Sequence, residues 1–157
     1  MRDITIVRLN TDSDHVATVA SWTYAEWGHL HPDSTPESYR EAFRRECGDG
    51  GVPSVFVAMQ GDRPVGTAAL MAEDMDSRRE LTPWLASVFV LPEWRGRGIA
   101  ARLIRRVEKE AVACGVDQLY LYTPDQQGLY RRLGWSDHEE LRYRGEEVTI
   151  MVRRLEA

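Results

Sequence analysis

Residues Val88-Phe89-Val90-Leu91-Pro92-Glu93-Trp94-Arg95-Gly96-Arg97-Gly98-Ile99-Ala100 leave this chain few folding choices. Val88 to Leu91 are apolar and rich in β-branched and aromatic types, which predicts a buried strand. Pro92 closes the strand, because proline cannot donate to a ladder. A helix is expected from about Gly98 to Glu110, with Ile99, Leu103, Val107 and Ala111 following one another at four-residue spacing on one face. Arg102, Arg105, Arg106 and Lys109 surround the remainder. The segment therefore reads as strand, glycine corner, helix.

Such a corner is an anion site in waiting. Gly96, Gly98 and Ala100 allow close approach, and the first N–H groups of a helix have no internal acceptor. Arg95 and Arg97 bring positive charge beside it. Taken alone, a Gly-x-Gly turn with a solvated basic rim satisfies the same residues. No Gly-Lys-Ser/Thr follows, and the spacing is not that of a dinucleotide fingerprint.

The rest of the chain frames this segment. Its 157 residues suit one ordinary domain, residues 1–157, large enough to enclose a core. Hydrophobic residues make up 43% and charged ones 29%, which argues against both disorder and a membrane protein. No run approaches the roughly 18 apolar residues of a spanning helix, and Met1-Arg2-Asp3-Ile4-Thr5 does not read as a signal peptide. Cys47 and Cys114 have neither metal-like spacing nor a close partner, so no metal and a reducing, cytoplasmic setting are expected. A net charge of −5 argues against a nucleic-acid partner while leaving room for a local basic pocket.

In order, Ile4–Leu9 reads as a strand, and a helix beginning near Asp14 carries Val16, Val19, Ala20, Thr23 and Tyr24. The segment Trp22 to Gly28 is unusually aromatic. Two readings stay open: Trp22 or Trp27 packs the helix onto the sheet, or the segment walls a cleft together with His29 and His31. Thr35-Pro36 starts a second helix, Glu37 to about Cys47, whose many charges read as a solvated face. Ser54–Met59 and Pro64–Met71 form a hairpin around Gln60-Gly61-Asp62-Arg63. Ala72–Leu81 is highly charged and expected to be exposed, and Trp84–Leu91 is the strand that enters the corner. Asp117–Thr123 then returns beside it in parallel. A short helix, Gln126–Leu133, stops at Gly134, and strands follow at Trp135–Arg142 and Val148–Val152.

Arg95-x-x-Gly98-x-Ala100 after a strand resembles the pyrophosphate motif of the GCN5-related N-acetyltransferases, in which successive backbone amides hold acetyl-CoA. Gln126-Gln127-Gly128-Leu129-Tyr130-Arg131-Arg132-Leu133-Gly134-Trp135 resembles the second signature of that family, an aromatic-rich short helix ending in Leu-Gly-aromatic. The resemblance implies an α/β fold with a mixed central sheet of six to seven strands, about four helices and a splayed central strand pair. It also implies acetyl-CoA as cosubstrate, held by Phe89, Val90, Arg95, Gly96, Arg97, Gly98, Ala100, Ala101 and Gln126, with the Val90 N–H on the thioester carbonyl. Where the family often has an asparagine this chain reads Thr123-Pro124-Asp125-Gln126; Gln126 is the substitute amide and Asp125 a cap for the short helix.

The implied activity is acetyl transfer to a primary amine by direct attack in a ternary complex. Tyr130 is the general acid for the leaving thiolate, since a phenol near pKa 10 suits a thiol of roughly 8 to 9; a buried structural tyrosine is the other reading. Glu73 and Asp74 lead as bases because they follow the strand next to the central one, with Glu26, His29 and His31 behind them. Trp27 and Trp84 are expected to bind the acceptor, either a small amine or a peptide N-terminus. Transfer of a larger acyl group and a non-catalytic acyl-CoA sensor are the alternatives. No nucleic acid or membrane is expected as a partner, and a homodimer is compatible with the sequence.

Overall fold

The computed structural model describes residues 3–155. Its strands are β1 (Ile4–Arg8), β2 (Ser54–Gln60), β3 (Arg63–Met71), β4 (Trp84–Val90), β5 (Gln118–Thr123), β6 (Ser136–Tyr143) and β7 (Glu146–Arg154). Its helices are α1 (Val16–Trp27), α2 (Pro36–Glu46), α3 (Ile99–Ala113) and α4 (Gln127–Arg132). The strands form one seven-stranded mixed sheet in the order β1-β2-β3-β4-β5-β7-β6. Neighbours are antiparallel except β4 and β5, which the α3 crossover makes parallel.

Both faces of the sheet centre are covered, which is why β2 and β3 are buried on successive residues instead of alternating. On one face α3 sets Ile99, Leu103, Ile104, Val107 and Ala111 against Phe56, Ala68, Leu70 and Leu85. On the other, Val16, Val19 and Ala20 of α1 and Phe43 of α2 pack on Val55, Val57 and Ala69. Thr35 caps α2 as the Thr-Pro pair requires, its hydroxyl accepting from the Ser38 N–H at 3.0 Å with Pro36 at the first helical turn. The helix expected from near Asp14 starts at Val16: His15 occupies the cap position without a side-chain bond, and Ser13 Oγ accepts the His15 N–H just ahead of it.

Two departures from the sequence reading shape the site. The charged segment Ala72–Leu81 is not simply exposed. Met75 is buried in a cluster with Trp84, Tyr143, Val148 and Ile150, so the segment is anchored to the sheet. Trp84, expected to touch substrate, is fully buried in that cluster, and its indole N–H donates to the Leu81 carbonyl at 2.6 Å. Its position directly before Leu85, which faces α3, puts it on the opposite side of β4 in the core.

Candidate active site

The site begins with a bulge. β3 and β4 pair Thr67 with Phe89 and Ala69 with Ala86, so three steps along β4 match two along β3. The extra residue leaves Ser87 at φ 58°, a left-handed conformation uncommon for serine. β4 then diverges from β5: Trp84 opposite Tyr120 is their one paired position, and beyond it the strands splay. Leu91 donates its N–H to Val65 on the β3 side, so by strand alternation the Val90 N–H faces the splay.

At the mouth of the splay stands the glycine corner. Gly96 and Gly98 have φ of +77° and +79°, and a Cβ on either would meet no atom within 4 Å. Their hydrogens therefore border open space, and their handedness is one that most side chains resist. Gly98 ends the corner as the cap of α3 and offers no side chain to the free amides of the first turn. A cavity of about 460 Å³ lies over these amides, bordered by Phe89, Val90, Arg95, Ala100 and Gln126 among others. The cradle fits a diphosphate: orphan N–H groups, the positive end of a fifteen-residue helix, and room left by missing side chains.

The corner cavity shares Glu26, Trp27, Val88 and Asp125 with a second one of about 400 Å³ inside the splay. Tyr130 lines this second cavity with only 7% of its surface exposed. Its ring stands edge-on to Trp135 with centroids 6.1 Å apart, and the Trp135 N–H donates to the Tyr130 carbonyl. Burial, reinforced by the Asp125 charge, pushes the phenol up to about 12, so it carries its proton throughout the neutral range. The α4 start that presents Tyr130 is held by Thr123, whose hydroxyl accepts the Gln126 N–H at 3.0 Å and the Asp125 N–H at 3.4 Å. Asp125 is thus not the cap it was expected to be.

A third cavity, about 350 Å³, continues inward and shares Leu30, His31, Tyr39, Asp74, Ala86, Ser87 and Tyr122 with the second. Asp74 sits at this junction. Asp74 is half-buried in the cavity wall, and burial together with the Glu46 charge raises its carboxyl from 3.8 to about 8. Glu46 lines the inner cavity from the end of α2 and is itself raised to about 7 by burial, partly offset by Arg45. His31 is held below 6.5 by burial and by the positive charge of Arg144. Arg144 bridges Asp76, at 3.0 Å, and the Tyr143 hydroxyl, at 3.0 Å, and also donates to the Leu30 carbonyl.

A profile of the Acetyltransferase (GNAT) family matches residues 16–135, spanning the aromatic helix, the corner and the tyrosine helix. The chain belongs to that family. Solved structures agree in fold with the GNAT assignment. An aminoglycoside 6'-acetyltransferase type Ii superposes with a TM-score of 0.75 at 17% identity, over 98% of each chain. The yncA protein of Salmonella typhimurium, solved with its cofactor acetyl-CoA, gives 0.71 at 17% identity over 99% of this chain and 95% of its own. N-acetylglutamate synthase of Neisseria gonorrhoeae, complexed with coenzyme A and N-acetyl-glutamate, gives 0.72 at 17%; all of this chain matches 36% of that one.

Within this GNAT frame the residues expected from sequence separate clearly. Phe89, Val90, Arg95, Gly96, Gly98, Ala100 and Gln126 meet at the corner cavity. Arg95 leans over Phe89 and donates from Nε to the Val90 carbonyl at 2.8 Å. Arg97 instead turns outward onto Trp94, 4.8 Å from its ring centre, and does not border the corner. Ala101 points to the outer surface near Ile6, leaving only its backbone amide for the corner. Trp27 serves both readings, packing edge-on to Phe89 at 6.3 Å while bordering the two outer cavities; Trp22 packs on the same ring at 6.0 Å. Glu73 is exposed at the rim of the inner cavity, whereas Asp74 points into the junction. Sequence reasoning missed Val88, Glu46, Tyr39 and Tyr122. Glu46 was indistinguishable from its solvated neighbours on α2, although its place beside Cys47 and a turn from Phe43 put it near the buried stripe. Among the described residues no group of three His, Cys, Asp or Glu is placed to hold a metal, and no helix is long and apolar enough to cross a membrane.

Proposed function

We propose that this GNAT protein transfers the acetyl group of acetyl-CoA to a primary amine by direct attack in a ternary complex. One observation carries the reading: three cavities with shared walls form a continuous path from the glycine corner, past Tyr130, to Asp74. Bound there, acetyl-CoA supplies an activated carbonyl for the amine to attack.

The amides of Gly98 to Ala101 hold the diphosphate at the positive end of α3. Val90, beside the corner, has its N–H on the splay side for the amide-bearing arm. Val88 faces the same side and borders both the corner and the Tyr130 cavity, so its N–H, rather than that of Val90, polarises the thioester carbonyl. Asp74 accepts the proton of the attacking amine from the junction between the second and third cavities. An acid near pKa 8 is well matched to an amine near 10, far better than an exposed carboxylate near 4. Tyr130 returns a proton to the thiolate; its raised pKa keeps the proton in place until a strong base forms nearby. The C–N bond forms, the C–S bond breaks, and one proton is taken up and one released by the protein.

The test is an acetyl-CoA-dependent screen of small amines and short peptides that follows free thiol. Release that requires an amine and yields an amide of acetyl mass supports the reading. Absence of thiol across the panel, with no measurable binding of acetyl-CoA, defeats it.

A further inference from the structure

The inner cavity is larger than base chemistry requires, and its walls are specific. Four carboxylates, from Glu46, Glu73, Asp74 and Asp76, border it against a single guanidinium, that of Arg144. Arg144 is already engaged by Asp76, the Tyr143 hydroxyl and the Leu30 carbonyl. Glu73 is at the exposed rim. Two inward carboxylates therefore remain without an ion pair among the described residues: Asp74, on which no positive charge acts, and Glu46, on which only that of Arg45 acts.

These two occupy different depths. Asp74 borders both the Tyr130 cavity and the inner one, whereas Glu46 borders the inner one alone. Phe43, Met71 and Met75 contribute apolar surface to the same wall. Tyr39 and Tyr122 add aromatic surface of the kind that attracts ammonium groups. Two acids sharing one cavity disfavour each other's ionisation in the free protein, and a cation held between Asp74 and Glu46 would relieve this.

We infer that the acceptor is a small amine carrying a second cationic group, such as a linear diamine, with its reacting nitrogen at Asp74 and its remote ammonium at Glu46 along an apolar spacer. The inference rests on the acetyltransferase reading above and specifies its substrate class. The wall chemistry does not suit an acceptor with a carboxylate near the reacting amine, because that charge would join those of Asp74 and Glu46 in the same cavity.

The test compares linear diamines of three to six carbons with monoamines of equal length in the thiol-release assay, using the whole chain. The best diamine is expected to exceed its matched monoamine in kcat/KM by about 10- to 100-fold, the range of one charge-assisted contact. Glu46→Gln, which keeps the shape, should bring that ratio close to one, mainly by raising KM for the diamine. A wild-type ratio near one, or a ratio unchanged in Glu46→Gln, overturns the inference and leaves the acetyltransferase reading intact. If no amine of either series reacts, the diamine class is refuted, and calorimetry with acetyl-CoA alone decides whether the donor reading falls with it.

Discussion

Replacing Asp74 by Asn separates what the protein needs for activity from what it needs for stability. The carboxyl rises from 3.8 to about 8 because of burial and the charge of Glu46. Between those two pH values the folded protein holds a proton that the unfolded chain has lost, so this group's contribution to stability declines as pH rises. At about 1.4 kcal/mol per pH unit the full displacement sets an upper bound of roughly 6 kcal/mol. The open path to the cavity lets water in, so an effect of about 2 to 3 kcal/mol is expected. Asn cannot ionise, and its advantage over Asp should be near zero at pH 4 and reach that value by pH 9. Urea unfolding of both proteins across this range reads the difference directly. Glu73, Arg144 and His31 also border the inner cavity and are common to both proteins, so their titrations largely cancel, whereas the coupling of Asp74 to Glu46 is part of the measured difference. In the same variant kcat/KM should fall by about 100-fold or more. With a base near pKa 8, only about one tenth of wild-type molecules are poised at pH 7, so wild-type activity should climb toward pH 8 and above, and Asp74→Asn should lose that limb. A pH-independent stability difference, or a variant that keeps a third of wild-type activity, would refute both the burial and the role.

Tyr130→Phe should lower kcat by about 100-fold and leave the dissociation constant for acetyl-CoA within about threefold, as measured by steady-state kinetics and calorimetry. Trp84→Leu should destabilise the fold by about 2 to 4 kcal/mol in denaturant unfolding, since it removes a fully buried indole; a raised KM with unchanged stability would instead restore Trp84 as a substrate contact. Met75→Ala should cost about 2 to 4 kcal/mol and raise KM for the amine, because Met75 anchors the segment that presents Asp74; limited proteolysis within residues 72–81 reports the loosening.

Much of this architecture can be read from local sequence, and the reasons it can or cannot are physical. The Val88 strand and the Gly96-Gly98 corner are legible because backbone sterics admit few alternatives at positive φ. The Thr35-Pro36 start of α2 is legible because capping is settled within four residues. Trp84 misled because an aromatic residue facing a cavity and one facing the core look the same until the side of the strand is known. The segment 72–81 is largely exposed, as its charges predict, and the exception is Met75, which is drawn in by Trp84 and Ile150. Glu46 and Val88 depend on distant partners. Glu46 acquires a role only when α2 is laid beside Asp74, and the position of Val88 emerges only after the bulge at Ser87 sets which amides face the splay.

The central claim is that the corner opening α3 holds the diphosphate of acetyl-CoA, and calorimetric titration of Gly98→Asp tests it most directly. Aspartate is among the residues that tolerate the φ of +79° at this cap, and its charge suits a helix start, so the fold should persist. The same carboxylate would stand in the open space over the first-turn amides, opposing the ligand by bulk and by charge. Gly98→Asn, equal in size and neutral, isolates the electrostatic part. The account predicts acetyl-CoA binding at least about 100-fold weaker in Gly98→Asp than in wild type, with Gly98→Asn between them. Equal affinity in all three proteins would contradict it.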